Sequence, residues 1–158
     1  MITSTSSSQV KHVVNLQKKA KLRKEEKQFV VEGVKMVSEA PADRLVKVYV
    51  SETFKADNEE FLERMNYDSI GKDVLEIVTD NVFMRMADTQ TPQGIMAVVR
   101  MSDTDLEGIL SDKRNPLLLI IENLHDPGNL GTIVRMAEGA VTFSPSPEAV
   151  HRFLPFLP

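Results

Sequence analysis

Residues 117–140 read LLLIIENLHDPGNLGTIVRMAEGA. Five aliphatic residues at 117–121, then a polar turn, then an apolar-periodic segment predict a buried strand joined to a helix, the unit from which parallel sheets are wound. Pro127 and Gly128 suit positions i+1 and i+2 of a type II turn, and Asn129 suits the N-cap of the helix that follows. Such a turn would leave helix N–H groups free at the carboxyl end of a buried strand, which makes an anion site.

At about 100° per residue, Leu130, Ile133, Val134 and Ala137 share one side of this helix, and Gly131, Arg135 and Glu138 share another. Helical side chains lean toward the N-terminus, so Arg135 can reach back across Gly131 toward Asn129, the outline of a phosphate site. The same residues also allow a plainer interpretation, with Arg135 and Glu138 as an i,i+3 surface pair worth a few tenths of a kcal/mol. Neither a GxGxxG fingerprint nor a GxxxxGK[ST] loop is present, which weakens dinucleotide and nucleotide-triphosphate readings.

Working toward the N-terminus, 102–116 (SDTDLEGILSDKRNP) is polar around one short apolar helix and reads as a linker. Before it, strand and helix patterns alternate. The spacing predicts a basic amphipathic helix over 9–23, a strand in QFVVEG, a helix in VKMVSEA ended by Pro41, and a strand in LVKVYVS. A helix over 52–65, a strand in VLEIVT, a short helix in DNVFMRMAD capped by Asp80 or Asn81, and a strand GIMAVVR entered through the turn TPQG complete the series. The expected fold class is α/β, a sandwich within residues 1–101, preceded by a polar lead-in at 1–8.

The 158 residues carry a net charge of -4, but the charge is uneven. Residues 11–27 hold six Lys and one Arg against two Glu, a local +5 that leaves -9 elsewhere. Lys11, Lys18, Lys19, Lys21, Arg23 and Lys24 are therefore candidates for contact with an anionic partner; a solvated helix face with a few ion pairs is the other interpretation. With 0 Cys and 3 widely spaced His, thiol chemistry is excluded and no zinc-ligand cluster is expected. Unbroken apolar stretches reach only five residues, far short of the roughly 20 that span a bilayer. Residues 1–24 lack acids and are rich in Ser and Thr, as transit peptides are, but the first Arg is Arg23 and no secretory h-region is present, so a cytoplasmic location is expected.

The segment 117–140 closely resembles the first motif of the SpoU-type RNA 2′-O-ribose methyltransferases of the SPOUT superfamily. VKHVVNLQKKAKLRKEEKQFVVEGVKMVSEA, VKVYVS and MADTQTPQGIMAVV are similar, in order, to that family's substrate-binding domain, an α/β sandwich related to RNA-binding ribosomal proteins. The resemblance covers about residues 9–140. It implies a trefoil-knot catalytic domain that holds S-adenosylmethionine, an RNA partner (rRNA or tRNA), and a homodimer with sites built across the interface; no membrane or metal partner is expected. It also implies that Asn129 and Arg135, which match the motif's Asn and Arg, handle the RNA ribose and phosphate. A cation there orients the ribose and favours alkoxide character on the attacking 2′-oxygen. A base role for Arg135 conflicts with a guanidinium's being effectively always protonated. Asn129 is then assigned to orienting Arg135 or the phosphate, and Glu138 to support.

After residue 140 the resemblance stops. Four of the 8 prolines fall in 141–158 (VTFSPSPEAVHRFLPFLP), a composition that opposes helix and central strand. The resulting expectation is an N-terminal ribosomal-protein-like sandwich (1–101), a linker (102–116), the first strand and helix of an incomplete SPOUT domain (117–140) and an off-pattern tail (141–158). Phe143, Phe153, Leu154, Phe156 and Leu157 could instead cover apolar surface or form a dimer interface. The chain as given is expected neither to bind S-adenosylmethionine nor to methylate RNA; a non-enzymatic RNA-binding module and a protein-interaction fragment are the alternatives.

Overall fold

The computed structural model describes residues 1–65, 74–101, 119, 121, 124 and 126–142. The chain divides into two units, Met1–Met101 and Ser102–Pro158. The first contains α1 (Ser8–Lys18), α2 (Ala20–Glu26), β1 (Gln28–Glu32), α3 (Val34–Glu39), β2 (Leu45–Ser51), α4 (Glu52–Asp57), α5 (Glu59–Arg64), β3 (Leu75–Val78), α6 (Asp80–Met86) and β4 (Ile95–Arg100), with a 3-10 turn at Ala42–Arg44. The second contributes α7 (Pro127–Thr142). The expected linker at 102–116, the strand at 117–121 except Leu119 and Ile121, and the tail from 143 onward lie outside the described residues. Among the described residues, no helix is long and apolar enough to cross a membrane.

The sheet order is β1-β4-β2-β3, with β4 antiparallel to both neighbours and β2 parallel to β3. Ile95, Met96, Ala97, Val98 and Val99 of β4 are all buried, as a central strand covered on both faces requires. Period-two alternation sends Ile95, Ala97 and Val99 to one face with Val37 of α3, Phe54 of α4 and Leu62 of α5. Met96 and Val98 go to the other, against Val10, Val13 and Leu16 of α1 and Val82, Phe83 and Met86 of α6. In β2, Leu45 and Val48 share the first face although they are an odd number of residues apart. The pairing explains this: Leu45 opposes Val99 while Lys47 opposes Val98, so Val46 is an extra residue that resets the alternation. Every buried hydrophobic residue among those described lies before Met101, so this unit has its own core.

Two expected helices are broken. The basic helix over 9–23 is α1 and α2, separated at Lys19, which is extended (φ -114°, ψ 102°). In one continuous helix Leu22 would face about 180° from the stripe of Val10, Val13 and Leu16; the break rephases it onto the same core. The helix over 52–65 divides at Asn58, whose amide donates to the Phe54 carbonyl (3.0 Å) and competes with the helical ladder. The cap of α6 also differs from expectation. Thr79 occupies the N-cap position, and the Asp80 carboxylate instead accepts from Thr53 Oγ1 (2.7 Å) and Thr53 N–H (3.2 Å). These bonds, the hydroxyl's first, then the N–H and the Ser51 hydroxyl, hold the Asp80 pKa below its usual value.

The carboxyl ends of β1, β2 and β3 and the entry to β4 share one rim of the sheet. Gln93 Oε1 accepts from Val34 N–H (2.8 Å), Glu32 accepts from Asp88 N–H (3.1 Å) and from the Thr89 hydroxyl, and Gly33 N–H donates to the Ile95 carbonyl (2.9 Å). Gly94 has φ +87°, and a Cβ there would stand 2.7 Å from Phe54 Cβ and 2.9 Å from Ser51 Oγ, both in closely packed surroundings. Strain and overpacking each cost roughly 1–3 kcal/mol, so Gly94→Ala is expected to lower the unfolding free energy by about 3 kcal/mol, measured by denaturant titration.

Tyr49 is buried beneath α1, where its hydroxyl donates to Gln9 Oε1 (3.1 Å). Burial, with a smaller contribution from the Glu76 carboxylate, pushes its pKa up to about 12. Because the folded value is raised, the associated stability is fully present below the ordinary tyrosine pKa of about 10 and is lost as pH rises toward 12. In a Tyr67→Phe chain, the one remaining phenolate should therefore absorb in the near ultraviolet only near pH 12, and thermal stability should begin to fall above pH ~10.

Candidate nucleic-acid interface and motif helix

Helix α1 buries Val10, Val13 and Leu16 and leaves Lys11 and Lys18 exposed on the opposite side, seven residues and nearly two turns apart. Lys19 is exposed at the corner, and Lys21 and Lys24 are exposed on α2. Lys21 lies 3.8 Å from Glu25 one turn along, a solvent-facing pair of little energetic weight. Two further contacts tie the helices together. His12 Nε2 meets Glu26 Oε2 at 2.6 Å, and Arg23 Nη1 donates to the carbonyls of Leu16 (2.7 Å) and Gln17 (2.8 Å). Of the six candidate RNA residues, the five lysines present their charges to solvent, whereas Arg23 is half-buried and turned onto α1.

On α7 the local structure departs from the predicted turn. Asp126, rather than Asn129, caps the helix: its Oδ1 accepts from Gly128 N–H (2.8 Å) and its carbonyl from Leu130 N–H (3.2 Å). Pro127 is then the first helical residue, where its fixed φ and missing N–H do no harm, and Gly128 is the second. The expectation of a type II turn with free N–H groups is thus corrected, since a carboxylate already accepts from one of them. The Asp-Pro pair suits an N-cap followed by a favoured first helical residue, but Pro-Gly suits a turn equally well, so the local sequence leaves both open.

Asn129 is exposed in the first turn. The Arg135 guanidinium lies over Gly131, with Nη1 3.5 Å from where a Cβ would stand. Its Nη2 donates to Thr132 Oγ1 (3.3 Å), and that hydroxyl donates to the Gly128 carbonyl (3.0 Å). Thr132 was not among the predicted residues, yet it ties Arg135 to the first turn. A methyl at 131 would only touch the guanidinium, whereas a longer side chain would occupy its place. Glu138 falls on the same helix, beyond the described side chains. Among the described residues, no group of His, Asp and Glu could hold a metal ion.

Residues 7–97 match the family described as the MRM3-like substrate binding domain. The chain belongs to this family of SpoU-type RNA methyltransferases. It is similar to the mitochondrial rRNA methyltransferase 3 of Homo sapiens, 32% identical over 137 residues, which cover 81% of this chain and 30% of that protein. It is also similar to a 23S rRNA (guanosine-2′-O-)-methyltransferase of Haemophilus influenzae, 30% identical over 118 residues, covering 71% of this chain and 46% of the relative. The fold resembles that of an AdoMet-bound rRNA methyltransferase from Sinorhizobium meliloti (TM-score 0.62, 22% identity), over 88% of this chain and 50% of that one. The chain thus spans half or less of the length of these relatives. Within this SpoU-type chain, FVVEG and TPQGI meet at one rim, where Glu32 and Gln93 bind the two loops to each other.

Proposed function

We propose that this chain provides the RNA-binding part of a methyltransferase that modifies a ribose 2′-hydroxyl of rRNA or tRNA. The observation that carries the reading is the exposure of Lys11, Lys18, Lys19, Lys21 and Lys24 on two consecutive helices whose apolar residues pack on the core. Its surroundings support it: the domain matches a substrate-binding family, and the named relatives act on rRNA. Lysines on this face pair with phosphates and release counterions.

On α7, Arg135 donates to Thr132 and lies back over Gly131, toward the first turn that carries exposed Asn129. In the proposed role it pairs with the phosphate next to the reacting ribose and orients the 2′-oxygen, while Asn129 steadies that phosphate by hydrogen bonding. S-adenosylmethionine supplies the transferred methyl group in such enzymes. The described part of Ser102–Pro158 is a single helix, which does not enclose a ligand, so no contact with the cofactor is assigned to these residues.

The test is direct. The chain should bind structured RNA with an affinity that falls as salt rises, and replacing Lys18, Lys19 and Lys21 by Glu should weaken binding at least tenfold and flatten the slope of log K against log salt. No binding at low salt by the folded chain would refute the RNA reading. In a chain continued with the remaining SpoU segments, Arg135→Ala should lower turnover at least a hundredfold and RNA affinity less than threefold, because one charge among many phosphate contacts matters most at the reacting ribose. Measured methyl transfer to RNA alongside binding separates the enzyme from the binding module.

A further inference from the structure

We infer that Arg23 is the positioning residue of the basic interface, setting the lysines in place from behind rather than meeting RNA itself; this rests on the RNA-binding reading above. The four last carbonyls of a helix have no intrahelical partner. In α1 the Asn15 carbonyl accepts from Lys19 N–H (2.8 Å), and the next two, Leu16 and Gln17, both accept from Arg23 Nη1. A guanidinium on α2 thereby closes the C-terminus of α1, where the helix dipole also favours a cation.

The consequences fall on the lysines. The corner that Arg23 closes contains Lys18 and Lys19, and Lys21 and Lys24 lie on the same short helix as Arg23 itself. The orientation of Lys18 and Lys19 relative to Lys21 and Lys24 is therefore set by how α2 docks on the end of α1. The His12–Glu26 contact makes a second tie between the two helices but leaves both carbonyls untouched. Both bonds leave Nη1, so lysine in place of Arg23 would keep the charge but carry its ammonium about one bond nearer Cα, short of the point between the two carbonyls, and on a more flexible stem. This separates positioning from phosphate contact.

The experiment measures binding of structured RNA across a salt series for the unsubstituted chain, Arg23→Lys and Arg23→Gln, with thermal melts confirming that each is folded at the assay temperature. Both variants are expected to bind about tenfold more weakly at a fixed salt concentration. Their salt slopes are expected to fall by more than the ~0.9 that one lost phosphate contact removes, because several lysines move together. Retained affinity in Arg23→Lys with loss in Arg23→Gln would make Arg23 a phosphate contact and overturn the inference. Lower melting temperatures with unchanged affinity in both would reduce it to a helix cap and overturn it equally. Absence of salt-dependent binding by the unsubstituted chain is a different failure, that of the RNA reading itself, and takes the inference with it. If the variants do not fold, the unsubstituted chain still decides: the Arg23 guanidinium NMR signals should hold their positions as RNA is added while lysine signals shift, and a large shift at Arg23 overturns the inference.

Discussion

The central place of β4, hydrogen-bonded on both edges and packed on both faces, is the constraint from which the rest of the first unit follows. Its run Ile95–Val99 offers no polar face to water, so each side of the sheet must be roofed by helices. Helices α3, α4 and α5 supply one roof; α1 and α6 supply the other. The bulge in β2 belongs to the same requirement, because without the extra residue Leu45 would leave the core that Val48 and Val50 enter. The basic helices owe their position to this arrangement, since the apolar stripe of α1 exists to cover Met96 and Val98 and the lysines take whatever side remains.

Element identity was legible in the sequence wherever one periodicity dominated. QFVVEG, LVKVYVS, VLEIVT and GIMAVVR each contain a strand of the sheet, and the sandwich class followed from their alternation with helices. The sequence was less legible where a single side chain overrides the pattern. The Asn58 amide divides one expected helix, and the Arg23 guanidinium closes the end of α1 where another divides; neither side-chain contact is written in the hydrophobic periodicity. At the motif helix, Arg135 lies over Gly131 because of side-chain lean, a property of every helix, and so it was readable. The Asp126 cap was not, because Pro-Gly satisfies two local rules and only the formed helix chooses between them.

The match over 7–97 spans all the buried residues of the two-faced core except Val98 and Val99, and the named relatives act on rRNA. The α7 residues belong to a different unit, and their arrangement concerns local chemistry: a cation braced by a hydroxyl, near an amide in the first turn. A fold frames a site without specifying its reaction; what α7 offers is the Arg135 guanidinium bonded to Thr132 and an exposed Asn129.

The loop from Asp88 to Gly94 is a surface connection whose ends are stitched to the junction of β1 and α3: Glu32 takes the backbone of Asp88 and the hydroxyl of Thr89, while Gln93 takes the backbone of Val34. Exposed connections of this kind are ordinarily where proteases nick a domain and where insertions accumulate. Here a cut or an added residue would disturb Gly94, which has no room for adjustment beside Phe54 and Ser51, and through it the entry to the central strand. The connection therefore behaves as part of the sheet: its length is fixed, and limited digestion would spare it while cutting elsewhere.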